Sequence, residues 1–261
     1  MERFGLVGLP NAGKSSLYNA LTGGGALAAP YAFATKDPNI GVAQVPDSRL
    51  LALSEMSKTK KTVHASVQVV DIGGLVEGAS KGEGLGNKFL SNIREVDAIV
   101  FVLRAFKDDD VPGPDDPLEH LRVVEVELAL ADLETVEKRL KTASKAARVD
   151  KNATEEAEAM QRAYDVLAEG IPIYRSNLSK DDRDALAPHF LLTNRPVLAV
   201  VNVGENELDR IPVEVERVRN EMCPAGITAD IEVIGMSVQI EAEAAQLEEA
   251  DRTEMLEALG L

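Results

Sequence analysis

A chain of 261 residues, 45% apolar and 28% charged, can bury the core of one large domain or of one domain carrying an insertion. Its net charge of −16 argues against a protein that coats nucleic acid over its whole surface, and no apolar run approaches the roughly 18 residues of a bilayer-spanning helix. A single cysteine, Cys223, excludes an internal disulfide framework and fits a reducing, cytoplasmic compartment. His64, His120 and His189 lie far apart and lack the spacing of zinc ligands.

The chain leads straight into a strand pattern at Phe4–Val7, and no signal peptide is expected ahead of it. Gly8-Leu-Pro-Asn11-Ala-Gly13-Lys14-Ser15 follows at once, a full match to the phosphate-binding pattern G-x-x-x-x-G-K-[ST]. Gly8 and Gly13 let the backbone turn its N–H groups inward around phosphates. Lys14 supplies a point charge at the β- and γ-phosphates, and the Ser15 hydroxyl is suited to ligate Mg²⁺. Ser16–Leu21 is helical in pattern, so its positive N-terminal end faces the same phosphates. Thr35 sits in the loop that follows and can offer its hydroxyl to Mg²⁺ and its N–H to the γ-phosphate; an exposed loop threonine is the plain alternative.

The strand expected at Val67–Val70 ends in Asp71-Ile-Gly73-Gly74. A carboxylate there can hold the Mg²⁺ hydration shell, and the Gly74 N–H can meet the γ-phosphate. Ala98–Leu103 reads as a further strand. Leu121–Pro196 then breaks the rhythm. Ala129, Leu133, Val136, Leu140, Ala143 and Ala147 form one helical seam; after the polar Asp150-Lys151-Asn152, Ala153, Ala157, Met160, Tyr164 and Leu167 form another. Facing seams joined by a short turn predict an antiparallel coiled-coil hairpin, with Asn177–Pro188 as a polar return. Lys138, Lys141, Lys145 and Arg148 make a basic stripe on the first helix. That stripe is either a phosphate-backbone contact or a solvated face balanced by Glu155, Glu156 and Glu158.

Strands at Val197–Val201 and Ile231–Ile234 complete the pattern. Near-continuous apolar strands alternating with amphipathic segments predict an α/β fold, a Ras-like P-loop domain with a mostly parallel sheet. The expected division is residues 1–120 and 197–261 for the nucleotide-binding domain and 121–196 for the inserted helical arm. After the strand at Val197–Val201 comes Asn202-Val203-Gly204-Glu205, where a guanine-reading protein would carry N-K-x-D. The acid here is one methylene longer and the Lys is Val203, so the block suits adenine better than guanine, through the Asn202 amide and backbone around Val203.

With these blocks in place, the chain closely resembles the YchF (Obg-like ATPase) family of P-loop proteins over essentially its whole length. Gly8–Ser16, Phe33–Asn39, the run from Asp71 to Phe89 and the Asn202–Glu205 block carry the likeness. The resemblance implies ATP preferred over GTP, slow hydrolysis and binding to the ribosome, with its large subunit and rRNA as the expected partner. It implies phosphate contacts from Asn11, Ala12, Gly13, Lys14, Ser15 and Ser16, Mg²⁺ ligation by Ser15 and Thr35, and base contacts from Asn202, Val203 and Glu205. Lys14, Asp71 and Gly74 are then the catalytic group, and Asn11 stands where potassium-activated relatives hold K⁺.

Three departures are visible. The family continues into a small C-terminal TGS domain where this sequence ends at Leu261, so a shortened form is expected. The family's loop histidine is absent from Val111-Pro-Gly-Pro114, and its role is not carried to His120. Gly73 replaces the usual Ala. Two other classes compete with a hydrolysing switch. One is a nucleotide-gated binding module with incidental turnover, favoured by Leu75 where Ras-like enzymes place a Gln. The other, a small-molecule kinase, would need an Arg-rich lid that the sequence lacks.

Overall fold

The computed structural model describes residues 1–23, 39–74, 85–147, 152–223 and 231–261. Among these, a six-stranded sheet runs in the order β2-β3-β1-β4-β5-β6. Its strands are β1 (Arg3–Val7), β2 (Asn39–Gln44), β3 (Ser66–Asp71), β4 (Ala98–Arg104), β5 (Val197–Asn202) and β6 (Glu232–Met236). Neighbours pair in parallel except β2, which is antiparallel to β3. The fold is therefore the Ras-like α/β architecture with a mostly parallel sheet.

Helices cover both faces, with α2 (Ser48–Ser57) between β2 and β3 in the chain, and the strand alternation shows how. In β4, Ile99, Phe101 and Leu103 join a core with α3 (Leu85–Arg94), α4 (Pro117–Ala146) and α7 (Ile211–Met222), through Ile93, Leu121, Val124 and Met222. Val100 and Val102 point the other way, toward α1 (Lys14–Thr22) and α8 (Val238–Ala244), meeting Leu17, Tyr18 and Val238. β2 did not stand out as a strand in the sequence because it is an edge: Ile40 and Val42 are 56% and 52% exposed, so its apolar residues alternate instead of running on. No described helix is long and apolar enough to cross a membrane.

The 30-residue α4 starts sharply, with the Asp116 side chain accepting from Leu118 N and Pro117 in the first turn. Its first half packs on the sheet core through Leu121, Val124 and Leu128. Its second half leaves the sheet and packs Val136, Leu133, Leu140 and Ala143 on α5 (Asn152–Ala168), whose Met160, Ala163 and Leu167 face it. The helix is thus continuous across residue 121, and residues 148–151, including Arg148, lie outside the described set. The expected polar return over Asn177–Pro188 is instead partly helical, α6 (Lys180–Leu186). A reciprocal Ser179–Asp182 capping box starts it, and Leu186 anchors it in the core of the arm.

A buried carboxylate fixes the end of this excursion. Asp132 on α4 is fully buried and accepts from Leu192 N (2.8 Å), Thr193 N (2.7 Å) and Thr193 Oγ1 (2.7 Å). Burial pushes its carboxyl up to about 6 against the pull of those three donors. The folded chain therefore holds this proton more tightly than the unfolded one, so Asp132's contribution is fullest in acid and is lost as pH rises through about 6. Asp132→Asn turns an amide toward one of the donors and should cost about 1–3 kcal/mol at pH 7. The stability gap between parent and variant should widen between pH 7 and pH 5. Denaturant melts of the pair across that range test the sign, and a gap that narrows on acidification refutes it.

Candidate nucleotide site

The P-loop leaves the carboxyl end of central β1, where α/β sheets place their ligands. Its glycines are needed for close approach. A Cβ on Gly8 would lie 2.4 Å from the backbone oxygen of Val102. Gly13 has φ +100°, and a Cβ there would meet Asn202 Nδ2 at 2.5 Å. Asn11 also takes a left-handed backbone, φ +62°. The helix α1 starts at Lys14, two residues ahead of the expected pattern.

Lys14 is buried, and its Nζ donates to Leu9 O at 2.7 Å across the loop. Burial lowers its pKa to about 8, with the Asp71 carboxylate pulling the other way. Ser15 Oγ donates to Asp71 Oδ2 at 2.7 Å. Asp71 ends β3 and is fully buried, so the sheet itself carries this carboxylate beneath the P-loop. A hydroxyl and a carboxylate held together offer the hard oxygen donors that Mg²⁺ takes, so the donor set fits that ion. Gly74 lies against the P-loop, where a Cβ would come within 3.1 Å of Pro10. Gly73 has φ +90°, a backbone that an alanine would find strained. Thr35 and Leu75 fall outside the described residues.

On the other wall, β5 delivers Asn202. Its amide is consumed inside the protein: Nδ2 donates to Ala12 O and Oδ1 accepts from Val238 N, both at 3.0 Å. The Val203 N–H likewise donates to Met236 O at 2.9 Å. Asn202 therefore braces the P-loop against α8, and its amide is committed to that task where the sequence suggested a meeting with adenine. Glu205 and Asn206 remain exposed and line a cleft of about 720 Å³ together with Lys14, Phe106 and Ser237. The Ser237 hydroxyl is buried beside that cleft and has no hydrogen-bond partner among the described residues.

The sequence reading missed Phe106, Asn206 and Ser237, and also Arg104, which orders the loop beyond β4. Arg104 is 1% exposed and spreads its guanidinium over that loop. It donates to Phe106 O (3.0 Å), Val111 O (3.1 Å) and Asp108 O (3.3 Å), with its carbon 4.6 Å from the Phe106 ring centroid. The only signal was a charged residue closing the apolar strand Ala98–Arg104. His120 secures the far end of the loop. Its Nε2 donates to Pro114 O at 2.8 Å, and burial pushes the ring's pKa down. Asn11 Nδ2 donates to Pro112 O at 3.3 Å, joining the loop to the P-loop.

Comparison with known proteins agrees with this fold. Residues 3–144 match the family model described as 50S ribosome-binding GTPase. A curated protein of Bacillus subtilis, "Ribosome-binding ATPase YchF", is 44% identical over 98% of this chain and 71% of its own length. Its Escherichia coli O157:H7 counterpart is 39% identical over 98% of this chain and 70% of its own length. The chain belongs to the YchF family. A solved YchF structure, titled as the Schizosaccharomyces pombe YchF GTPase, superposes with a TM-score of 0.78 at 34% identity, covering 99% of this chain and 71% of that one. YchF relatives are thus named both ATPase and GTPase, which leaves the choice of base to the chemistry of the cleft.

On the arm, two lysines of the basic stripe are matched within their own helix. Lys138 pairs with Glu134 at 2.5 Å and Lys141 with Glu137 at 3.3 Å.

Proposed function

We propose that this chain is a nucleotide-dependent molecular switch that binds and slowly hydrolyses ATP, holds GTP more weakly, and associates with the large ribosomal subunit and its rRNA in the cytoplasm. The observation that carries the reading is the convergence of Lys14, Ser15, Asp71 and Gly74 under one P-loop, in a chain of the YchF family. The backbone from Asn11 to Ser16 cradles the phosphates, and Lys14 stands by the β- and γ-phosphates. Mg²⁺, held by Ser15 and Thr35 with Asp71 behind them, would neutralise charge on the phosphate oxygens. Asp71 orients the Ser15 hydroxyl, and the Gly74 N–H would meet the γ-phosphate. Asn11, whose side-chain Nδ2 donates to Pro112 O, would hold K⁺ as a second cation through its side-chain oxygen. Within residues 121–196, the part beyond the sheet core, from Leu133 of α4 through α5 and α6, forms the arm that meets the ribosome.

The base preference follows from the absence of N-K-x-D. Val203 forms the wall of the base pocket, while Glu205, Asn206 and Ser237 supply its polar groups. A pocket that does not present the two acceptors guanine needs in fixed positions discriminates less steeply than one that does. ATP should bind more tightly than GTP by a modest factor, with GTP retained through the shared phosphate cradle. Calorimetric titration of both nucleotides with Mg²⁺ tests this, followed by turnover in K⁺ and Na⁺ buffers with and without ribosomes. GTP binding tenfold tighter than ATP would reverse the assignment while leaving the phosphate site in place.

A further inference from the structure

At the root of the arm lies a second cleft, of about 740 Å³, which shares no residue with the nucleotide cleft. It opens between α3, α4 and the turn after α6, and Leu90, Arg94, Thr135, Lys138, Arg139 and Phe190 line it. Phe190 is the unusual member. The residue is 60% exposed, and its backbone sits at φ +53°, a conformation that glycine adopts freely and an aromatic residue rarely does. It closes a short 3-10 turn at a position where glycine is the usual choice.

The turn that carries Phe190 is tied by a hydrogen bond to α4, with α5 beside it. His189 Nδ1 accepts from Arg139 Nη1 at 2.7 Å, and its Nε2 stands 2.9 Å from Glu156 Oε1. The ring is therefore presented to solvent from a fixed support. Around it stand Arg94, Lys138 and Arg139 against Glu95 and Glu134, one positive charge in excess on a chain whose net charge is −16, and the exposed Lys138–Glu134 pair is one that a phosphate would have to open. Arg94 donates to Thr135 Oγ1 at 3.3 Å, giving the floor a polar edge.

We propose that this cleft receives an unpaired base of single-stranded RNA, stacked on Phe190, with the flanking phosphates on Lys138 and Arg139. An exposed ring beside cations uses both halves of a nucleotide, its π-face and its phosphate. The choice of RNA as the polymer rests on the ribosome-binding reading above.

The test is fluorescence anisotropy with a labelled single-stranded RNA of about ten nucleotides, across a salt series, with the full chain. The parent should bind. Phe190→Gly should weaken binding about tenfold with the salt slope unchanged, because it removes a stacking surface and no charge. Lys138→Ala should weaken binding and reduce the slope by about 0.7, the value for one phosphate contact on a single strand. Phe190→Gly relieves the left-handed backbone, so its melting temperature should match or exceed that of the parent, and Phe190→Trp should keep RNA binding. Ribosome co-sedimentation of the same proteins separates the two readings. If the parent fails to co-sediment yet binds RNA through Phe190, the ribosome reading falls and the cleft stands. No RNA binding by the parent, or RNA binding indifferent to Phe190→Gly, overturns the proposal. So does ribosome binding that depends on Phe190 while RNA binding does not, since the cleft would then take a protein.

Discussion

Lys14→Ala is expected to abolish useful ATP binding in a chain that remains folded. The ammonium is buried, its one hydrogen bond among the described residues is to Leu9 O, and burial already draws its pKa down to about 8. A cation held at that cost contributes little to folding, so its loss should leave the melting temperature near that of the parent. Its loss opposite a triphosphate removes a charged partner from a desolvated pair, worth about 2–5 kcal/mol, or roughly thirty- to several-thousandfold in affinity. The same residue gives the parent a pH signature. Phosphates favour the charged ammonium, so ATP binding takes up a proton once the free lysine titrates, and affinity falls as pH rises through about 8. Calorimetry should find parent binding about tenfold weaker at pH 9 than at pH 7. The Ala variant should show no such trend. Parent-like affinity in a folded Lys14→Ala protein would sink the phosphate-site assignment.

Asn202→Ala should do the opposite, damaging fold and site together. Asn202 is 5% exposed and satisfies two backbone groups on different elements, Ala12 O in the P-loop and Val238 N at the start of α8. Ser237, the residue ahead of α8, makes no side-chain cap, so Asn202 performs that task from β5. Truncation leaves two buried polar groups unpaired, at about 1–3 kcal/mol each. Thermal melts should drop by several degrees or more for a chain of this size, and ATP affinity should fall about tenfold as the P-loop loosens at Ala12. Asn202→Asp keeps the acceptor for Val238 N but loses the donor to Ala12 O. It should therefore retain more stability than Asn202→Ala while still binding ATP poorly. An Asn202→Ala protein with parent-like melting would show that the brace is not needed.

These two residues also mark what could be seen in the sequence. The phosphate site was legible because its chemistry is local: Gly8, Gly13, Lys14 and Ser15 lie within one turn between a strand and a helix, and the pattern needs no distant partner. Asp71 and Asn202 were found because both stand at strand ends. The use to which Asn202 is put was not visible, since Ala12 and Val238 lie far from it in the chain. Arg104 stayed hidden for a related reason, as its acceptors are carbonyl oxygens, which leave no mark on residue identity. β2 was lost because an edge strand shows solvent half its side chains, and α6 because one apolar anchor and a capping box suffice for so short a helix.

The continuity of α4 has a mechanical meaning. The helix is gripped by the sheet core as far as Ala131 and runs on to Ala146, a further distance of about 22 Å. With no break between grip and tip, the helix is a rigid lever whose fulcrum lies at the core. A tilt of about 10° at the grip would sweep the tip through roughly 4 Å, on the order of a side-chain length. Arg94 and Thr135 meet just beyond that fulcrum, so a shift of α3 by a fraction of an ångström is applied where leverage is greatest.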